Sequence, residues 1–129
     1  MKTRKLIAWG KGLAIAVLVL GLIHVIATFT PLILAGLACL DAENLNAMIY
    51  MSLICGASLI LAGWLLHALL KRLEEHRFLM VPILGLGGFL ALNGVLSVYY
   101  MFNNPFAWLA FLLTVAVLIV VLALRRIRD

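Results

Sequence analysis

The chain has 129 residues, of which 67% are hydrophobic and only 12% charged, with a mean hydropathy of +1.22 and a formal net charge of +5. A soluble domain is about half apolar and roughly a quarter charged, so the composition excludes a soluble globular fold and points to an integral membrane protein. The bases sit in three small groups beside apolar runs, a pattern suited to anionic lipid headgroups and not to nucleic acid.

The first span is expected from about Trp9 to Thr30, with an apolar continuation to Leu40. MKTRK before a greasy run resembles a signal peptide, but the run exceeds an h-region of about 7–15 residues and no small-x-small cleavage site follows. LAGLAC at 34–39 approaches a lipoprotein box and departs from it at Gly36, where a large aliphatic residue belongs. The segment is therefore expected to stay as a helix. Pro31 cannot donate to the carbonyl of Ala27 and biases Thr30 away from helix, so the span kinks or ends there. Residues 31–40 are too short to cross alone. They continue a tilted helix, lie in the outer interface, or fold back as a lid.

After DAEN at 41–44 the second span covers about Leu45 to Leu70 and ends in KRLEEHR at 71–77. That loop is expected to be a solvated helix extension, with Lys71 and Glu74 paired at i, i+3. The third span runs from about Phe78 to Phe102, Asn103-Asn104-Pro105 forms a tight outer turn, and the fourth covers about Phe106 to Leu124 before RRIRD. Only helices or closed barrels satisfy the backbone in lipid, and these runs are too long for strands. The expected fold is one all-α domain over 1–129, an integral membrane four-helix bundle.

Bases occur at Lys2, Arg4, Lys5 and Lys11, at Lys71, Arg72 and Arg77, and at Arg125, Arg126 and Arg128. Four crossings put all three groups on one side, while the other two loops carry Asp41, Glu43 and asparagines. The positive-inside bias places both termini and the 71–77 loop in the cytoplasm. Cys39 and Cys55 differ in depth by ~15 Å, too far for a disulfide. The lack of a CxxC pair argues against the disulfide and quinone redox class.

Polar and small residues in the spans fall on stripes. Gly21, His24, Thr28 and Pro31 share one face of the first span; Ser52, Gly56, Gly63 and His67 lie within about 60° on the second; Asn93, Ser97 and Tyr100 follow the helical spacing on the third. The fourth offers only Ala107, Ala110 and Thr114, so it reads as the most lipid-facing helix. Intramembrane polar groups face a bundle interior or a cavity. Counted from the inner charges, His24 and Asn93 lie ~18–22 Å deep, and Thr28, Ser52, Ser97 and Tyr100 further out at ~24–32 Å. The seam is either a hydrated, outward-facing pocket around His24 and Asn93 or interhelical glue worth about 0.6–2 kcal/mol per bond. Ser52-x3-Gly56 and Gly87-x3-Ala91 are small-xxx-small pairs, and with Gly21 and Gly63 they are candidates for close helix packing. Trp9, Tyr99, Tyr100 and Trp108 suit an aromatic belt, with Trp64 about a turn too deep.

Much chemistry is missing from the sequence. His24 and His67 differ in depth by ~12 Å or more, so they do not form a bis-histidine haem site. No HxxxH or HExxH spacing suggests a metal, no span holds the Asp or Glu of a proton-coupled exporter, and no nucleophile triad is present. No catalytic residue and no cofactor are expected. A short parallel between Gly21-Leu22-Ile23-His24-Val25 and Gly94-Val95-Leu96-Ser97-Val98, each followed by Phe and Pro, hints at a duplicated hairpin.

Trp9-Gly10, Gly21, Ile23-His24 and Ala27-Thr28-Phe29 in the first span, with GASLILAGWL at 56–65 [with Gly56 its first residue], make the chain resemble small four-span bacterial inner-membrane proteins. That resemblance implies a fold and a compartment, the bacterial cytoplasmic membrane, and no activity. The expected function is interaction without catalysis, as an accessory subunit of a larger membrane complex or by self-association, with membrane lipids as partners. The alternative is a small-molecule or lipid-binding or transport protein using the outer polar pocket.

Overall fold

The structure, a computed structural model, describes residues 2–128; the side chains of Lys2, Leu32 and Arg128 lie outside the described set. Five helices follow in chain order: α1 (Lys2–Thr28), α2 (Pro31–Gly36), α3 (Ala42–Arg72), α4 (Met80–Tyr100) and α5 (Pro105–Arg128), with a 3-10 turn at Arg77–Leu79 leading into α4. Among the described residues there is no strand. Four stretches of 26, 31, 24 and 23 residues, on α1, α3, α4 with its leading turn, and α5, are long and apolar enough to cross a membrane. The described chain is all-helical, with four helices fit by length and composition to cross a membrane.

The break at Pro31 shows how one residue divides a greasy run. Thr30 is extended, at φ −79° and ψ 148°, as a residue before proline must be. The carbonyl of Ala27, which Pro31 cannot serve, accepts instead from Thr30 N at 3.0 Å and from Thr30 Oγ1 at 2.7 Å. Pro31 then opens α2, where its missing N–H costs nothing. Among the described residues α2 approaches α1 and no other helix. It is a short helix at the end of α1, and the lid arrangement is not what forms.

Asp41 caps α3: its Oδ1 accepts from Asn44 N and its Oδ2 from Asn44 Nδ2, both at 2.8 Å. Those bonds, the backbone one foremost, hold the carboxyl below the ordinary aspartate range. A lowered folded pKa means the cap stabilises fully above the unfolded value near ~3.9 and is lost as pH falls through the folded value. Protection of the Asn44 amide, its exchange rate relative to the intrinsic rate at the same pH, should therefore fall below about pH 4, and Asp41→Ala should show the same low protection at neutral pH. Unchanged protection in that variant would remove the cap from the account.

At its other end α3 stops at Arg72, earlier than a solvated extension through 77 requires. Leu73 turns inward and is fully buried. The turn carries Glu74 towards the first turn of α1, where it meets Arg4 Nε at 3.6 Å. The ion pair of Glu74 is thus with Arg4 and not with Lys71, because the chain leaves helical geometry before the i, i+3 spacing is completed. At the opposite end, Asn104 Oδ1 accepts from Phe106 N at 2.9 Å and Trp108 Nε1 donates to Phe102 O at 2.8 Å, closing the turn between α4 and α5.

The four long helices form an up-and-down ring in which α1 packs on α3, α4 on α5 and α1 on α5, while α3 and α4 barely meet. Their buried residues step by threes and fours: Gly56, Leu59, Gly63, Leu66, Leu70 and Leu73 along and just beyond α3, and Ile83, Gly87, Leu90 and Gly94 on α4. That alternation is the seam of helices crossing at shallow angles. α5 contributes Ala107, Thr114, Val117, Val121 and Leu124. Over its apolar window α5 is buried to the same 28% as α4, against 33% for α1 and α3, so it shares with α4 the place of most exposed span. It touches both α1 and α4, since helix packing in lipid rests on fit and small residues rather than on polarity.

Candidate functional site

The close approach of α1 and α3 decides what the polar residues can do. A Cβ on Gly21 would lie 2.8 Å from Gly56 O and 2.8 Å from Ile60 N, and one on Gly63 would lie 2.7 Å from Ala14 O. Only hydrogen atoms fit at these crossings, so the backbones run nearly in contact. One turn further along, this proximity brings short side chains together. Thr28 Oγ1 lies 2.7 Å from Ser52 Oγ, and Ser52 Oγ lies 3.1 Å from His24 Nε2.

Proton counting fixes the roles. Thr28 Oγ1 donates to the carbonyl of His24 at 2.9 Å, which uses its one proton. Ser52 must then donate to Thr28, and His24 must donate from Nε2 to Ser52. All three bonds coexist when His24 carries its proton on Nε2. The triad is a closed chain that ends on a backbone carbonyl, and Thr28 is buried within it.

The other three candidate positions lie elsewhere. Asn93 reaches across to Cys55 as a hydrogen-bond partner, a link between α3 and α4. Ser97 Oγ sits 2.7 Å from Gly94 O and 3.2 Å from Ala107 O, tying α4 to the start of α5. Tyr100 is 77% exposed and stands edge-on to Tyr99, ring centres 4.9 Å apart. Three of the six positions, His24, Thr28 and Ser52, come together; Asn93, Ser97 and Tyr100 do not join them. The candidate packing positions Gly21, Gly56, Gly63, Gly87 and Ala91 are all buried. Trp9 and Trp64 both face outward.

Cys55, one turn from Ser52, enters beside the seam without having been placed in it; it is half-buried and not in a disulfide, as is exposed Cys39. Thr114 is buried against Gly94, its hydroxyl donated to the carbonyls of Ala110 at 2.9 Å and Phe111 at 3.1 Å. Helical spacing from Ser52 was the available signal for Cys55, while Thr114 is the polar member of the fourth span's small-residue stripe.

Among the described residues no buried side-chain nitrogen or oxygen lacks a partner, and no three His, Cys, Asp or Glu side chains lie close enough to hold a metal ion. The fold and these contacts define an all-helical protein with four helices long and apolar enough to cross a membrane, in which His24, Ser52 and Thr28 bond to one another. No protein-family model matches the chain, and no curated protein or solved structure is significantly similar to it.

Proposed function

We propose that this protein acts without catalysis, by interaction inside the bilayer of the bacterial cytoplasmic membrane, either as an accessory subunit or by self-association. Both termini and the 71–77 loop face the cytoplasm in this reading, on the positive-inside bias of the bases. The observation that carries it is the closed His24–Ser52–Thr28 chain, whose bonds are spent between α1 and α3. With the polar groups used for assembly, what is left for recognition is helix surface. α3 supplies much of it. At 31 residues it is about 46 Å long, against ~30 Å of hydrocarbon. Its outer turns, with Met48, Tyr50 and Met51 exposed, run past the last residue of α1 that pairs with it.

The rival reading, a ligand pocket around His24 and Asn93, asks for hydrogen-bonding capacity left free to bind something. His24→Leu separates the two. As glue, the change lowers stability by about 1 kcal/mol, in the range of membrane hydrogen bonds, and leaves association with partners intact. Unfolding in detergent and co-purification read both effects. Unchanged stability together with loss of a bound molecule would overturn the proposal.

A further inference from the structure

The end of the bundle that bears the bases contains a feature that helix packing does not use. A cleft of about 220 Å³ opens there between α1 and α3, lined by Arg4, Ile7, Lys11, Leu70, Lys71 and Glu74. Three cations and one carboxylate share it, and the carboxylate is engaged by Arg4 at 3.6 Å. Ile7 and Leu70 are buried apolar residues at its wall.

Lys11 is the unusual member. It lies seven residues beyond Arg4, two turns or about 10 Å deeper along the helix. It is half-buried, and its ammonium has no ion pair or hydrogen bond among the described residues. A lysine at that depth costs free energy unless it reaches an anion or the interface. The protein offers it none, since Glu74 belongs to Arg4.

The neighbouring face of α1 is shaped to accompany such an anion. Lys5, Ala8, Trp9, Gly12 and Leu13 line a shallow groove of about 400 Å³ over the same turns. Nothing lies within 4 Å of where a Cβ on Gly12 would sit, and Trp9 stands out beside it, 70% exposed. A charged head with an apolar tail matches the pair of features. Basic pockets between membrane helices bind anionic lipid headgroups.

We propose that this cleft holds the headgroup phosphate of an anionic phospholipid, with Lys11 and Lys71 as its ligands and the acyl chain leaving past Gly12 and Leu13 toward the membrane centre. Glu74 is then a competitor: by holding Arg4 across the mouth it weakens the site, and removing its charge frees Arg4 for the phosphate. This rests on the chain being embedded in a bilayer, and it is independent of the accessory-subunit reading.

The test uses the full chain in a neutral detergent, with thermal unfolding followed by circular dichroism. Short-chain phosphatidylglycerol, short-chain phosphatidylcholine and inorganic phosphate are titrated separately. Saturable stabilisation by phosphatidylglycerol is expected, with little response to the zwitterionic lipid or to phosphate alone. Lys11→Gln with Lys71→Gln should weaken the apparent affinity at least about tenfold, as expected for loss of two charge-assisted bonds. Glu74→Gln should tighten it several-fold, and Arg77→Gln, which removes a charge outside the cleft, should leave it unchanged. Equal stabilisation by both lipids overturns the site, as does an Arg77→Gln loss equal to that of the lysine pair. An equal response to inorganic phosphate overturns the lipid as its source. If the lysine pair fails to fold, Glu74→Gln decides alone: a weaker or unaltered affinity contradicts the proposal.

Discussion

Gly63→Leu unfolds or splays the α1–α3 hairpin, and even Gly63→Ala loses about 1–3 kcal/mol, the usual cost of overpacking. The reason is what the new atoms meet. At Gly63 a Cβ falls 2.7 Å from Ala14 O, 2.7 Å from Leu18 N and 3.1 Å from Leu18 Cα, all backbone of α1. No side chain can rotate away, so the whole helix must move. That movement also separates Gly21 from Gly56 and pulls Ser52 from His24 and Thr28. Gly88 supplies the control, because nothing lies within 4 Å of a Cβ there. Gly88→Ala should leave the unfolding transition in place. If Gly63→Ala and Gly88→Ala behave alike in detergent unfolding, close backbone packing does not hold the hairpin together.

Gly94→Ala is the second large effect, and it differs in being repairable. The added methyl lands on Thr114 Oγ1 and lies 3.0 Å from Phe111 Cα. Thr114 cannot simply turn aside, since its hydroxyl is bonded to the carbonyls of Ala110 and Phe111. The single change should cost about 1–3 kcal/mol. Adding Thr114→Ala removes the hydroxyl and should return a large part of that loss, while the Phe111 backbone keeps the rescue incomplete. A coupling of roughly 0.5–3 kcal/mol is the signature of two residues in contact. Strict additivity of the two changes in a stability cycle would show that α4 and α5 are not in register as described.

The contrast between the two sites explains what could be read from the sequence. Four apolar runs and the break at Pro31 were legible because hydrocarbon thickness and proline stereochemistry act locally. Spacing alone marks Gly21, Gly56 and Gly63, where an added Cβ would crowd the neighbouring helix, whereas Gly87 makes only ordinary contact with Val121 and Gly94, tight against Thr114, is not marked by it. Which face of α5 turns inward is not legible from polarity. Val117, Val121 and Leu124 are as apolar as any lipid-facing residue, and only the three-dimensional register shows that they are enclosed. Glu74 was assigned to Lys71 by spacing along one helix, whereas its partner, Arg4, comes from an antiparallel neighbour. Depth counting placed His24 and Asn93 on one level, yet depth does not specify azimuth. His24 meets Ser52, and Asn93 meets Cys55, one turn along α3. Tyr100 shared a stripe with Asn93 but sits in the last turn of α4, beyond its packed stretch.

Exposed apolar helix surface and the closed His24–Ser52–Thr28 chain are what support the proposed role in association. The most direct measurement is native mass spectrometry after gentle extraction from the native membrane at natural abundance. The account predicts a species heavier than one 14.2 kDa chain, containing a second polypeptide or a fixed number of copies. A lone 14.2 kDa chain contradicts it, and a small molecule that leaves such a chain on His24→Leu would make the polar seam a binding site instead.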